Sequence, residues 1–258
     1  MMICRSSNKI TYFTFDTMPT TRITHGIFGR LGGVSPHPYE SLNMSTSTGD
    51  SKQNVDTNIA LAYNSLGIPI ASLRTVTQVH GARTIATHNK QFRNNINADG
   101  LITQTPNTSL FMRFADCAPI MLYDPINHAI ALGHAGWRGT LAGLASSIVV
   151  TMKSTFGSKP DKLLAAIGPC ITVNNYEVGQ EVADLFHEAF EQTDDIIVYN
   201  NNSIRLDLIK ANIHSLASSG VQSIETSNLC TSYNNNYFYS HRTEAKPSGR
   251  FGAVIYLP

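Results

Sequence analysis

Charged side chains are scarce in this chain of 258 residues, of which Asp, Glu, Lys and Arg make up only 14%. Lys and Arg number 19 against 18 Asp and Glu, so the formal net charge is +1. Proteins that bind nucleic acids or acidic membranes usually concentrate basic charge. The near balance therefore argues against both kinds of partner, while a hydrophobic content of 42% suffices for a sizeable core.

The chain also lacks a long apolar run. The segment from Leu141 to Met152 is shorter than the ~20 residues that a membrane-spanning helix needs. The N-terminal segment shows neither the apolar stretch nor the small-residue cleavage site of a signal peptide. We therefore expect a cytoplasmic protein without a membrane partner.

Paired cysteines are missing as well. The four cysteines stand at positions 4, 117, 170 and 230 and form no C-x-x-C motif. In a reducing cytoplasm they are expected to be free thiols, and a free Cys is most often a small buried hydrophobic residue. A catalytic or metal-binding role for any of them needs a further signal.

Hydrophobic periodicity predicts a mixture of helices and strands along one domain that spans residues 1–258. Helices are expected over 50–64, capped by Asp50, over 141–156, capped by Thr140, over 179–191 and over 206–219. Short apolar runs predict strands over 75–79, 109–114, 119–123, 129–133, 163–167, 237–240 and 253–257. Because strict βαβ alternation is absent, an α+β or layered α/β domain with mixed sheets fits best.

Three short segments place a metal-capable residue beside small residues at the edge of a predicted strand. They are QVHG (78–81), ADCAP (115–119) and GHAGWRGT (133–140), which contain His80, Cys117 and His134. Two His and one Cys could form a three-ligand zinc site with an open fourth position, as catalytic zinc requires. The same residues would also suit a nucleophilic Cys117 with a His as its base.

The third segment also forms a glycine-rich turn between a predicted strand and a predicted helix. It holds Arg138 beside Trp137, the only Trp of the chain. Backbone N–H groups at a helix N-terminus and an Arg side chain both bind anions, although a tight structural turn explains the pattern equally well. Other candidates for contacts with a polar ligand stand in HGIFGRLGGVS (25–35), SLN (41–43) and the C-terminal segment, namely Arg30, Asn43, His241, Arg242 and Arg250.

Taken together, these segments resemble the YfiH/YlmD family, historically labelled polyphenol oxidase or laccase-like and later associated with purine nucleoside phosphorylase activity. Further matching segments are ADG (98–100), IGPCI (167–171), NLCT (228–231), YSHR (239–242) and SGR (248–250). The resemblance runs in family order over nearly the whole chain. It departs from the pattern after Arg242, where Thr243 and Glu244 stand in place of an Arg and an Asp.

The resemblance implies a four-layer α-β-β-α, YfiH-like domain with zinc on His80, Cys117 and His134. It also implies phosphorolysis of adenosine, inosine and 5′-methylthioadenosine, with deamination of adenosine as an attributed second activity. The expected partners are a purine nucleoside and phosphate, and the expected assembly is a monomer or homodimer.

Roles for the remaining residues follow from this chemistry. Arg138 is expected to hold phosphate, with Arg30 or Arg242 as a second clamp and Asn43 as a further substrate contact. Asp116 is expected either to act as an acid or to accept hydrogen bonds at a strand end. The alternative functions are copper-dependent phenol oxidation, which nine His without an H-x-H motif disfavour, a Cys–His amide hydrolase, and a non-catalytic metal-binding module.

Overall fold

The computed structural model describes residues 2–87, 92–200, 203–244 and 247–258. Its α-helices are α1 (Lys52–Ser65), α2 (Trp137–Leu141), α3 (Leu144–Phe156), α4 (Gln180–Ala189), α5 (Leu208–Ser218) and α6 (His241–Glu244). Its strands are β1 (Met2–Ser7), β2 (Ile10–Phe15), β3 (Thr24–Phe28), β4 (Leu73–Arg74), β5 (Thr84–Ala86), β6 (Gly100–Thr103), β7 (Thr108–Phe114), β8 (Ala118–Asp124), β9 (Ala129–Ala135), β10 (Leu164–Ile167), β11 (Glu177–Val178), β12 (Ile197–Asn200), β13 (Ser203–Leu206), β14 (Ser223–Thr226) and β15 (Phe251–Leu257).

Two six-stranded mixed sheets form the centre of the fold. The first sheet has the order β1-β2-β3-β15-β7-β4, and the second has the order β14-β10-β8-β9-β6-β5. Most pairs are antiparallel, but β4 with β7, β5 with β6 and β10 with β14 are parallel. A small third sheet has the order β11-β13-β12, and its strands flank α4 in the sequence. The expectation of mixed sheets is confirmed.

Alternating side chains show how the layers stack, because successive residues of a strand face opposite sides of its sheet. In β15, Ala253 and Ile255 join a core cluster shared by both large sheets, whereas Val254 and Tyr256 pack in a cluster with α1. In β8, Met121 faces the other sheet and Leu122 packs in the cluster that includes α3 and α5. The order of layers is therefore helix, sheet, sheet, helices, as expected.

The structure corrects the prediction of one helix over 141–156. The structure contains two helices there, α2 and α3, separated at Gly143, whose φ is +79°. Thr140 lies inside α2, and Gly136 occupies the N-cap position of that helix. Periodicity could not reveal the break because the apolar residues on both sides of it face the same core.

Smaller corrections concern the other helix ends. The N-cap of α1 is Ser51, whose side chain accepts a hydrogen bond from Asn54, while Asp50 accepts the backbone N–H of Ser51. The helix α4 ends at Ala189, and α5 begins after its N-cap Asp207. The described residues contain no helix long and apolar enough to cross a membrane.

Two predicted strands are wrong. Residues 75–79 form only an isolated bridge, between Thr77 and Asn97. Residues 237–240 begin inside a turn, in which the Asn234 carbonyl oxygen accepts the N–H groups of Tyr237 and Phe238. Phe238, Tyr239 and Ser240 are nevertheless buried, so their apolar pattern reflects packing and not sheet pairing. The other five predicted strands correspond to β7, β8, β9, β10 and β15.

Candidate active site

His80, Cys117 and His134 converge although they are distant in the sequence. Cys117 directly precedes β8, His134 lies in the neighbouring strand β9, and His80 lies in the loop before β5. Their potential ligand atoms all lie within 4.8 Å of one another, and Cys117 Sγ is 4.0 Å from His80 Nδ1. The antiparallel pairing of β8 with β9 brings Cys117 beside His134, and the His80 loop completes the cluster.

Asp99, in the loop before β6, connects the two histidines. Its fully buried carboxylate lies 2.9 Å from His134 Nδ1 and accepts the backbone N–H groups of Val79, His80 and Gly81 at 2.8–3.1 Å. Burial raises the pKa of Asp99, but the hydrogen bonds with His134 and Gly81 outweigh it and hold the pKa below its usual value. An ionised carboxylate only accepts, so His134 donates through Nδ1 and keeps Nε2 for the centre.

The backbone of His80 depends on these contacts. Its φ is +60°, in the left-handed region that non-glycine residues seldom adopt. Three consecutive N–H groups pointing at one carboxylate hold the loop in this conformation. Asp99 thus orients the ring of His134 directly and the position of His80 through the backbone.

Electrostatics favour a thiolate at Cys117. Burial opposes its ionisation, but charge interactions and hydrogen bonds with His134 and His80 lower the pKa of the thiol to about 6. Burial likewise opposes protonation of His134, yet Cys117 and Asp99 raise the pKa of this imidazole to about 9. The pair is therefore a thiolate and an imidazolium at neutral pH, and a metal ion held by the cluster would replace the proton on Nε2 of His134.

The shape of the loop after β9 leaves room for these side chains. A Cβ atom at Gly136 would lie 2.9 Å from Cys117 Sγ and 3.1 Å from His80 Nδ1. Glycine therefore allows the backbone to pass close to the cluster. Two imidazoles and a thiolate within this small cradle, facing a cavity, fit a transition-metal ion that prefers nitrogen and sulfur ligands.

A cavity of about 780 Å³ opens beside the cluster. Four arginines line it, whereas Asp116 is the only carboxylate among the described residues that do so. The arginines are Arg113, Arg138, Arg242 and Arg250. A cavity with this excess of guanidinium groups is suited to an anionic ligand.

Arg138 and Arg242 occupy the exposed part of the cavity wall. The guanidinium of Arg138 lies 4.1 Å from the ring centroid of Trp137, and that of Arg242 lies 5.2 Å from the ring centroid of Tyr176. Arg242 also donates to the carbonyl oxygen of Glu177 at 2.9 Å. The structure therefore brings both predicted phosphate-binding arginines to the cavity.

Asp116 lines the cavity, but its carboxylate is engaged on both oxygens. Oδ1 accepts from the Thr231 hydroxyl at 2.6 Å, and Oδ2 accepts from the backbone N–H of Arg242 at 2.7 Å. The φ of Asp116 is +86°, so the residue directly before Cys117 also has a left-handed backbone conformation. Asp116 accepts both hydrogen bonds, and the second one ties the Arg242 segment to the loop before β8.

Arg30 and Asn43 lie outside the cavity wall. Arg30 pairs with Glu244, and the Arg30 guanidinium lies 4.5 Å from the ring centroid of Tyr239. Asn43 is fully buried, and its Oδ1 accepts the backbone N–H groups of Ser45 and Arg250. The structure thus places both residues behind the wall, where they hold segments that line the cavity.

Sequence reasoning missed Asp99 and Arg113 as site residues. Asp99 stands in the ADG segment, for which the sequence predicts no role in the site, and Arg113 lies within an otherwise apolar strand. A charged residue inside a buried strand is itself a signal, because such a side chain needs a polar partner or a ligand. Cys170 and Cys230, by contrast, are buried free thiols outside the cavity wall.

The chain is similar to several known proteins. The family model described as multi-copper polyphenol oxidoreductase laccase matches residues 24–258. A protein of Deinococcus radiodurans named purine nucleoside phosphorylase is 33% identical over 240 residues, covering 93% of this chain and 91% of that protein. One of Escherichia coli named purine nucleoside phosphorylase YfiH is 30% identical and covers 88% of this chain and 91% of its own length. The crystal structure of YlmD from Geobacillus stearothermophilus superposes with a TM-score of 0.92 at 29% identity, over 100% of this chain and 99% of that one.

Proposed function

The chain belongs to the YfiH/YlmD family, and we propose that it is a zinc-dependent purine nucleoside phosphorylase acting on adenosine, inosine and 5′-methylthioadenosine. The observation that carries this proposal is that a cluster of two His and one Cys lines the same cavity as four arginines. The cluster suits a catalytic metal, and the cavity suits phosphate. The names of the relatives support the same reaction.

The residues of the chain can meet the main demands of phosphorolysis. In this reaction a phosphate oxygen forms a bond to C1′ of the ribose, the bond from C1′ to the purine nitrogen breaks, and the purine leaves with a proton. Arg138 and Arg242 would hold the phosphate by charge-assisted hydrogen bonds in a position to react. Zinc on His80, Cys117 and His134 would supply Lewis-acid chemistry, and Asp99 keeps both imidazoles oriented for that role.

Deamination of adenosine is part of the proposal as a second activity. It requires a group that moves protons between water and the amino group of the base, and zinc deaminases use a Glu for this purpose. No Glu lines the cavity within the described part of the chain. Phosphorolysis is therefore the activity that the geometry supports best.

Incubation of the purified protein with inosine, with and without phosphate, tests the reaction. We expect hypoxanthine and ribose 1-phosphate only when phosphate is present. Release of hypoxanthine at the same rate without phosphate would contradict phosphorolysis and indicate hydrolysis. Metal analysis of the same preparation should find about one zinc per chain, as a single three-ligand centre implies.

Cys117→Ala should lose the metal, and its kcat/KM should fall more than about 100-fold. The expected loss exceeds that for a residue that only orients a ligand, because Cys117 is itself a proposed ligand. Cys4→Ala is the matched control, since Cys4 is an exposed thiol on β1. Retention of zinc by Cys117→Ala would show that the ligand assignment is wrong.

One specific observation favours a second candidate, a Cys–His amide hydrolase. Cys117, His134 and Asp99 form a chain of thiol, imidazole and carboxylate like that of a Cys–His nucleophile. Removal of the metal with a chelator separates the two proposals. It should abolish phosphorolysis, whereas a Cys–His hydrolase would keep its activity on amide substrates.

Copper-dependent phenol oxidation has less support. A multicopper centre needs several additional imidazole ligands. Among the described residues, the cluster of His80, Cys117 and His134 is the one group of three or more candidate ligands.

A further inference from the structure

Two of the four cavity arginines differ from the phosphate-binding pair proposed above. Arg113 and Arg250 are partly buried, whereas Arg138 and Arg242 are exposed. Arg113 lies on β7 of the first sheet and Arg250 directly precedes β15 of the same sheet, while Arg138 follows β9 of the second sheet. Arg113 and Arg250 therefore reach the cavity from the first sheet, whereas Arg138 lies on α2 and Arg242 lies on α6.

Neither Arg113 nor Arg250 forms an ion pair within the described part of the chain. Arg113 donates from Nε to the Met44 carbonyl oxygen at 2.7 Å and from Nη1 to the Thr75 hydroxyl at 3.4 Å. Arg250 donates from Nη1 to the carbonyl oxygens of Ser248 and Gly249, each at 2.8 Å. Both guanidinium groups are thus positioned by neutral oxygens, and Cys117, Asp116 and Glu244 act on the charge of Arg250 through space without forming an ion pair with it.

The acids that could neutralise them are already engaged. Glu244 pairs with Arg30 and accepts from Ser240 and Ser248. Asp116 accepts from Thr231 and from the backbone of Arg242. Burial lowers the pKa of both Arg113 and Arg250, which reflects the cost of keeping these cations away from water. Two partly buried cations that line a cavity without an ion pair of their own are suited to bind an anion that enters the cavity.

The two side chains are placed to act on the same ligand. Gly252 pairs with Arg113 across β15 and β7, and Arg250 lies two residues before Gly252. Arg250 directly precedes β15, and residues two apart in an extended segment share a face, so the two arginines are diagonal neighbours whose Cα atoms are typically about 7–8 Å apart. One segment holds both, because Met44 accepts from Arg113 and donates its N–H to the Arg250 carbonyl oxygen.

The same segment adds hydroxyl groups. Ser45 and Ser47 line the cavity, and their hydroxyl oxygens lie 2.8 Å apart. Asn43 anchors this arrangement, since its Oδ1 accepts the N–H groups of Ser45 and Arg250. Two guanidinium groups and two hydroxyl groups provide more donors than a carboxylate accepts and match the several oxygens of a phosphoryl group.

We propose that Arg113 and Arg250, together with Ser45 and Ser47, form a second anion-binding subsite that takes a phosphoryl group. The proposal rests on the nucleoside chemistry proposed above and extends its substrate class. The phosphoryl group has two sources. It belongs either to a nucleoside 5′-monophosphate, whose base would then lie toward the metal cluster, or to inorganic phosphate.

Isothermal titration calorimetry on the metal-loaded protein tests the subsite with three probes: inorganic phosphate, inosine and inosine 5′-monophosphate. The variants are Arg113→Gln and Arg250→Gln. Arg205→Gln on β13 is the matched control because Arg205 lies outside the cavity wall. Thermal unfolding of each variant shows whether it folds, and Arg113→Lys and Arg250→Lys retain the charge if the Gln variants do not fold.

If the nucleotide is the source, inosine 5′-monophosphate should bind at least about tenfold more tightly than inosine, a typical effect of charge-assisted hydrogen bonds. Arg113→Gln and Arg250→Gln should remove that difference, and the Lys variants should restore part of it. If inorganic phosphate is the source, its affinity should fall about tenfold in both Gln variants, and the nucleotide should have no advantage.

Folded Gln variants that bind phosphate and the nucleotide within twofold of the unmodified protein would overturn the subsite. The binding measurement does not depend on turnover. A protein that fails to phosphorolyse inosine, yet loses phosphoryl binding in both Gln variants, would refute the proposed function and leave the subsite supported.

Discussion

Asp99 contacts both histidines of the candidate metal centre, one through its ring and the other through its backbone. A single carboxylate thereby sets the tautomer of His134 and the left-handed backbone of His80. Carboxylates that accept from a metal-binding His are known to orient the ring and raise its basicity. Asp99 is therefore a positioning residue for the centre.

Asp99→Asn should weaken zinc binding by about 10–100-fold, the usual effect of losing such a partner. Asn keeps the size of the side chain but replaces one acceptor oxygen with an NH₂ group, which would face an N–H donor. Competition with a chromophoric chelator measures the affinity. Asp56→Asn is the control, since Asp56 is an exposed acid paired with Lys52. Zinc affinity within threefold of the unmodified protein would exclude the positioning role.

The break between α2 and α3 matters at the scale of secondary-structure elements. The first helix carries Trp137 and Arg138 to the cavity, and the second packs against β9. A continuous helix through these residues would orient the cavity-lining turn differently. Gly143 permits the break because its φ is +79° and a side chain there would meet no other atom within 4 Å.

Gly143→Ala tests this break through the sign of its effect. The left-handed conformation costs a non-glycine residue about 1–2 kcal/mol, so the substitution should lower the free energy of unfolding by that amount. In a continuous helix over 141–156 the same substitution would raise it by about 1 kcal/mol. Urea denaturation followed by circular dichroism measures the difference. Gly143→Asn should be less destabilising, because Asn tolerates this conformation.

At the scale of the whole molecule, His25 links β2 to β3 beside the interface of the two large sheets. It is 1% exposed, and its Nε2 accepts the backbone N–H of Phe15 at 2.7 Å. Burial lowers the pKa of this imidazole to about 4, with Glu225 opposing the shift and Arg5 adding to it. His25 is therefore neutral in the folded protein at neutral pH.

This burial makes stability depend on pH. The unfolded chain binds a proton at His25 near its ordinary pKa of 6.5, whereas the folded protein binds it only near 4. The contribution of the neutral His25 to the free energy of unfolding is complete above pH 6.5. It is lost as the pH falls toward 4, and the total loss is about 3 kcal/mol. Urea denaturation at pH 7, 5.5 and 4.5 should show a steeper loss for the unmodified protein than for His25→Gln, whose amide oxygen can accept the same N–H. If the free energy of unfolding falls equally with pH in both proteins, His25 is not the group that causes the pH dependence.

Much of the fold was predictable because it depends on local patterns. Apolar runs identified the central strands β7, β8, β9, β10 and β15, since burial on both faces produces continuous hydrophobic segments. The outer strands β1 and β2 escaped prediction because their polar and apolar residues do not form comparable runs. Residues 237–240 show the converse error, in which buried loop residues have the composition of a strand.

The amino-acid sequence alone determined the residue types of the centre, their motifs and the family to which they point. Tertiary structure decided which of them meet. His80, Cys117 and His134 converge through strand pairing and a loop held by Asp99, and such long-range contacts leave no trace in local periodicity. The same holds for the arginines: Arg30 pairs with Glu244 behind the wall, whereas Arg113 reaches the cavity from a buried strand. The physical reason is that sheet register and loop packing, set by contacts between distant residues, determine which side chains face the cavity.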